Sequence, residues 1–160
     1  MEPNVYPREL AILASRSALP RGPGIPGSPD HLIRPGVGAG GVRIGMSEGQ
    51  VLRVLGAPAT RDEQDGLVHI TWPGIEVRLI AGAGGRVIEV GVTDRGIRTA
   101  EGLGVGSTVS EVKATVDDPE CEPGRIIRMT GDALPGDRVT TFRLGERRTV
   151  VSIEVGRILG

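Results

Sequence analysis

Two hydrophobic periodicities take turns along the chain from residue 42 onward. Val51, Val54 and Leu55 fall on one face of a helical pattern, and Val109, Val112 and Val116 repeat it further on. Each run opens on a capping box, Ser47-x-x-Gln50 or Thr108-x-x-Glu111, in which two side chains satisfy the free N–H groups at a helix start. Each closes near a proline, Pro58 or Pro119, which cannot continue a helix. After each predicted helix come three period-2 segments: 67–72, 75–80 and 86–92, then 125–129, 139–144 and 149–155. Their alternation assigns Val68, Ile70, Trp72, Val77, Leu79, Ile88, Val90 and Val92 to one inward face. The second inward set is Ile127, Met129, Phe142, Leu144, Val151, Ile153 and Val155. Pro73-Gly74, Gly82–Gly85, Pro135-Gly136 and Gly145–Arg148 supply the turns.

The two helical runs belong to a duplication. Residues 41–58 (GVRIGMSEGQVLRVLGAP) align with 102–119 (GLGVGSTVSEVKATVDDP) at an offset of 61, with Gly41/Gly102, Gly45/Gly106, Val51/Val112 and Pro58/Pro119 identical. The pattern predicts an α+β fold of two tandem repeats, each a short helix or helix pair packed on a three- to four-stranded antiparallel meander. The first repeat spans 42–95 and the second 96–160. Residues 1–41 read as a flexible tail with a possible helix at 8–18, because 12 of the 22 residues from 20 to 41 are Gly or Pro.

Composition narrows the function classes more than it names one. Val plus Ile number 31 against 15 for Leu plus Met, which favours strands over a helical bundle. The net charge of −1 gives no electrostatic drive toward nucleic acid, and no partner of that kind is expected. Of the 19 cations only Lys113 is not Arg, which is read as composition bias in the absence of a basic cluster. A single cysteine, Cys121, allows no internal disulfide or Cys-based zinc site, and two histidines, His31 and His69, make no metal cage. No cofactor and no metal are expected. No run of about 18 apolar residues signals a membrane span. The first residues carry no signal-peptide pattern.

The repeated Gly-x-Ser/Thr-x-x-Gln/Glu-Val unit, with its short helix, proline and meander, resembles one superfamily in particular. This is the group shared by the β-lactamase inhibitor proteins, built as a tandem repeat, and the small lipoproteins of the outer-membrane β-barrel assembly machine, built as a single copy. The resemblance covers 42–160, and the stretches 36–56 and 99–112 also resemble uncharacterised exported bacterial proteins with such units. It implies an exported or envelope protein that is non-catalytic and acts by binding other proteins. Inhibition of a β-lactamase does not follow: Trp72 and Phe142 lie on the inward alternation and Tyr6 in the tail, leaving no aromatic anchor for an exposed face.

The remaining motifs have plain structural readings. Gly36-x-Gly38-x-x-Gly41 follows Pro35 and a short apolar stub and opens no helix, so it reads as linker or turn and not as a dinucleotide loop. Gly102-x-Gly104-x-Gly106-Ser-Thr lacks the lysine of a phosphate loop. Asp62, Glu63 and Asp65 read as a solvated hairpin loop without calcium-ligand spacing. Cys121, behind three acidic residues, reads as a buried or passive thiol. On the polar alternation, His69, Glu76, Arg78, Glu89, Arg128, Arg143 and Glu154 fall together as a candidate partner-binding sheet face. The expected role is a monomeric, non-enzymatic protein-interaction or inhibitor-like module of the bacterial envelope or exterior. The alternatives are a small hydrolase using His69 with a neighbouring carboxylate and a purely structural domain.

Overall fold

A computed structural model of the chain describes residues 31–130 and 136–158, so the possible helix at 8–18 and Tyr6 lie outside the described residues. Both capping boxes form. Ser47 Oγ accepts the Gln50 N–H at 3.2 Å and Gln50 Oε1 accepts the Ser47 N–H at 2.9 Å, starting α1 (Glu48–Leu55). Thr108 and Glu111 exchange the same two bonds at 3.1 and 2.8 Å, starting α2 (Val109–Thr115). Val51, Leu55, Val109 and Val112 are the buried faces of these helices.

The strands before α1 are β1 (Leu32–Arg34), β2 (Gly38–Ala39) and β3 (Val42–Arg43). Between the helices run β4 (Thr60–Gln64), β5 (Leu67–Trp72), β6 (Ile75–Ile80), β7 (Val87–Val92) and β8 (Arg98–Thr99). After α2 come β9 (Glu120–Glu122), β10 (Arg125–Thr130), β11 (Arg138–Leu144) and β12 (Val150–Arg157). Eight of these form one antiparallel sheet in the order β4-β5-β6-β7-β12-β11-β10-β9, and the other four form a small sheet, β3-β2-β1-β8.

This corrects the α+β expectation. The described residues are 46% strand and 12% helix, with two helices only. The meanders β4–β7 and β9–β12 are not separate helix-covered repeats; they join through β7 and β12 into one sheet. Two physical reasons apply. A helix of eight residues is about 12 Å long and cannot cover a four-stranded sheet face by itself. A separate meander would also leave two lines of unpaired backbone groups where β7 and β12 instead satisfy each other.

The small sheet supplies the missing cover, which corrects a second expectation. Residues 31–41, read as linker, carry β1 and β2 and bury Ile33 and Ala39 in the common core with Val42. Gly38 permits this: a Cβ there would lie 1.9 Å from the Val42 carbonyl oxygen. The β1–β2 turn is fastened to the large sheet by Thr140 Oγ1, which accepts the Gly36 N–H at 3.0 Å, and by Arg138 Nη1, which donates to Gly36 O at 2.9 Å.

Across the inner face the register aligns Trp72, Ile75, Val92, Ile153, Phe142 and Ile126 in one row. Three inward assignments change. Phe142 pairs with Ile126, so Ile126 joins the core and Ile127 turns to the other face opposite Thr141; the Met129 side chain lies outside the described residues. Register shifts follow Arg78 in the first hairpin and Arg143 in the second. Each reverses the alternation beyond it, so Val87 replaces Ile88 in the core cluster and Val150 replaces Val151, which is 48% exposed. Trp72 stays inward, its Nε1–H donating to Gly56 O at 3.1 Å.

Candidate functional site

The outer face of the large sheet gathers charge where the two meanders meet. On the seam, Val90 stands opposite Val155, Gly91 opposite Glu154 and Glu89 opposite Gly156. The segments Ile88-Glu89-Val90-Gly91 and Ile153-Glu154-Val155-Gly156 are identical, and Arg78-Leu79 and Arg143-Leu144 precede them at the same spacing of 65 residues. The seam therefore has a local twofold through the Val90–Val155 pair, and each glutamate lies beside the glycine of the other copy. Those glycines leave room for the carboxylate arms. A Cβ on Gly91 would be 3.1 Å from Glu76 Cγ and 3.9 Å from Glu154 Cγ, and one on Gly156 would be 3.6 Å from Glu89 Cγ.

Three bonded pairs cross this face. His69 Nε2 lies 3.0 Å from Glu76 Oε1. Arg78, opposite Glu89, donates one bond from Nη1 to Glu89 Oε1 at 2.8 Å. In the second hairpin the register differs by two residues, placing Arg143 opposite Ser152. Arg143 reaches Glu154 diagonally with two bonds, Nε at 2.8 Å and Nη2 at 3.1 Å. Glu154 in turn holds the Arg143 guanidinium further above its already high range, first through those hydrogen bonds and then through charge. Burial pushes the Glu89 carboxyl up; Arg78 pulls it down, Glu154 and Glu76 push it up again, and Arg143 opposes them.

Six of the seven sequence-predicted residues, His69, Glu76, Arg78, Glu89, Arg143 and Glu154, are thus on one face. Arg128 is not. It stands opposite Thr140, which faces Val155, and that row belongs to the inner side. The cause is the adjacent pair Ile126-Ile127: choosing Ile127 as inward carried Arg128 to the wrong face. The Arg-Leu and Ile-Glu-Val-Gly repeat at a spacing of 65 was the sequence signal that marks the seam, and the helix duplication at 61 does not contain it.

The other candidates lie elsewhere. Asp62 and Glu63, expected in a loop, are on β4, a five-residue edge strand exposed throughout; Asp65 sits in the following turn with φ 53°. Cys121, read as a buried or passive thiol, is not buried: it is exposed on the opposite edge strand, β9. A cleft of about 300 Å³ at the β4 side has Arg61, Glu48 and Glu63 on its rim, where Arg61 is bonded to Glu48 at 2.7 and 3.1 Å. In the 102–108 segment, Ser107 Oγ accepts the Gly104 N–H at 3.0 Å, tightening the entry to α2. Among the described residues, no group of three or more His, Cys, Asp and Glu side chains is disposed to hold a metal ion, and no helix is long and apolar enough to cross a membrane. No family model, no curated protein and no solved structure matches the chain.

The face can present alternating charges in fixed positions. Its carboxylates and guanidiniums are oriented by one another on interior strands of a rigid sheet, and their outer sides remain open to solvent.

Proposed function

We propose that the chain is a non-catalytic protein-interaction module of the bacterial envelope or exterior, and that the outer face of the seam docks its partner. The observation that carries this reading is the ordered set of two Arg–Glu ion pairs and the His69–Glu76 hydrogen bond on strands β5, β6, β7, β11 and β12. Side chains already held by one another lose less freedom on docking than free ones. A fixed pattern of both signs selects a partner with the complementary pattern and rejects like-charged surfaces.

A photo-crosslinking amino acid in place of His69 or Arg143, in the producing cell, tests this. A control in place of Arg53 samples the exposed side of α1. One discrete protein adduct formed from both sheet positions and not from the helix supports docking at this face. Identical adducts from all three positions, or none from the sheet, contradicts it. The His69–Glu76 bond favours one other reading, a hydrolase with His69 as general base. A hydrolytic activity of the purified chain that disappears in His69→Ala replaces the docking proposal with that one.

A further inference from the structure

Glu89 and Glu154 hold equivalent places in the two Ile-Glu-Val-Gly segments, and their side chains are equally exposed at 27%. Their cations hold them differently. Arg143 grips Glu154 with two hydrogen bonds, while Arg78 gives Glu89 one. Glu89 also stands between two other carboxylates, with Glu76 diagonal to it on β6 and Glu154 diagonal on β12. The charged groups facing it among the described residues are Arg78 and Glu76 from β6, Glu154 from β12 and Arg143 from β11. His69 on β5 is bonded to Glu76 and stands opposite Arg78.

We propose that Glu89 is a proton-operated latch on Arg78: when its carboxylate takes up a proton, the Arg78–Glu89 ion pair opens while the doubly bonded Arg143–Glu154 pair stays closed. In acid the face then presents a guanidinium without its counter-ion, on one side of the local twofold only. The proton comes from solvent, and no other bond changes. The neutral carboxyl no longer repays Arg78 for its immobilisation, which opens the pair, and the repulsion that Glu76 and Glu154 exert on Glu89 favours uptake of the proton. Burial of Glu89, the largest influence on its proton affinity, acts in the same direction. The latch concerns protons and guanidiniums on the free chain, so its test is independent of whether a partner docks.

The test is an NMR titration of the full chain that follows the Glu89 carboxyl carbon and the guanidinium signals of Arg78 and Arg143. The Glu89 midpoint is expected above the ordinary glutamate value, with Arg78 moving at that midpoint and Arg143 still unmoved. Glu76→Gln, which removes one flanking charge without removing the latch, is expected to shift both the Glu89 and Arg78 transitions to lower pH. Arg78 and Arg143 moving together in one transition overturns the proposal. So does a Glu89 midpoint at or below the ordinary value, or a Glu76→Gln chain that titrates as the parent does.

Discussion

Thr108 shows how much one side chain decides locally. Its hydroxyl and the Glu111 carboxylate close both ends of the box that starts α2, a helix of only seven residues with little else to nucleate it. Thr108→Ala is expected to destabilise the chain by about 1 kcal/mol, read from the urea midpoint. Charged residues act with opposite signs. The hydrogen bond from Arg61 draws the Glu48 carboxyl below its usual range, against a smaller desolvation cost. That pair therefore adds stability above the unfolded glutamate's titration and loses it as pH falls through the folded value. Glu89, pushed up mainly by burial, does the reverse: its contribution is complete below the unfolded value and lost as pH rises through the folded one. In thermal unfolding across pH, Arg61→Gln should flatten the acid loss of stability, with the parent and the variant converging at low pH. Divergence that grows toward acid contradicts the assignment.

At the scale of elements, the sequence was most legible where chemistry and periodicity agree. Both capping boxes, the inward Trp72 and the β5–β6 alternation stand as read, because polar caps and strict period-2 runs leave one physical solution. The bulged hairpins were not legible. A register shift after Arg78 or Arg143 depends on how the connecting turn runs between Leu79 and Val87 or between Leu144 and Val150, and nothing in an apolar run such as Val150-Val151 shows which valine faces in. Adjacent Ile126 and Ile127 posed the same ambiguity, and only pairing with Phe142 resolves it. The stretch 31–41 misled for a different reason. Its glycines suggest a linker, but Gly38 is demanded by the close approach of Val42 rather than by flexibility. Gly38→Ala must separate β2 from β3 or displace the Val42 carbonyl, and a loss of about 3 kcal/mol or more is expected in equilibrium unfolding. A neutral substitution contradicts the packing of this segment.

For the whole molecule, the decisive feature is that the meanders share one sheet. The outer edges, β4 and β9, are exposed throughout and carry Arg61, Asp62 and Glu63, or Glu120 and Glu122, which discourages further strand addition. The inner edges, β7 and β12, are instead used against each other, and that junction builds the charged face from residues 65 apart in sequence. Composition could not reveal this, since a strand's partner is set by the fold and not by its own residues. Six of the seven face residues were nevertheless readable, because alternation alone fixes sides within each strand once its inward member is known. The register of β7 against β12 is decisive: shifted by one residue, Glu89 and Glu154 would no longer share a face. Interstrand proton–proton NOEs across this junction in the labelled full chain measure it directly. Contacts pairing Val90 with Val155, Gly91 with Glu154 and Glu89 with Gly156 are expected; contacts in a register offset by one, or none between the two strands, would contradict the shared sheet.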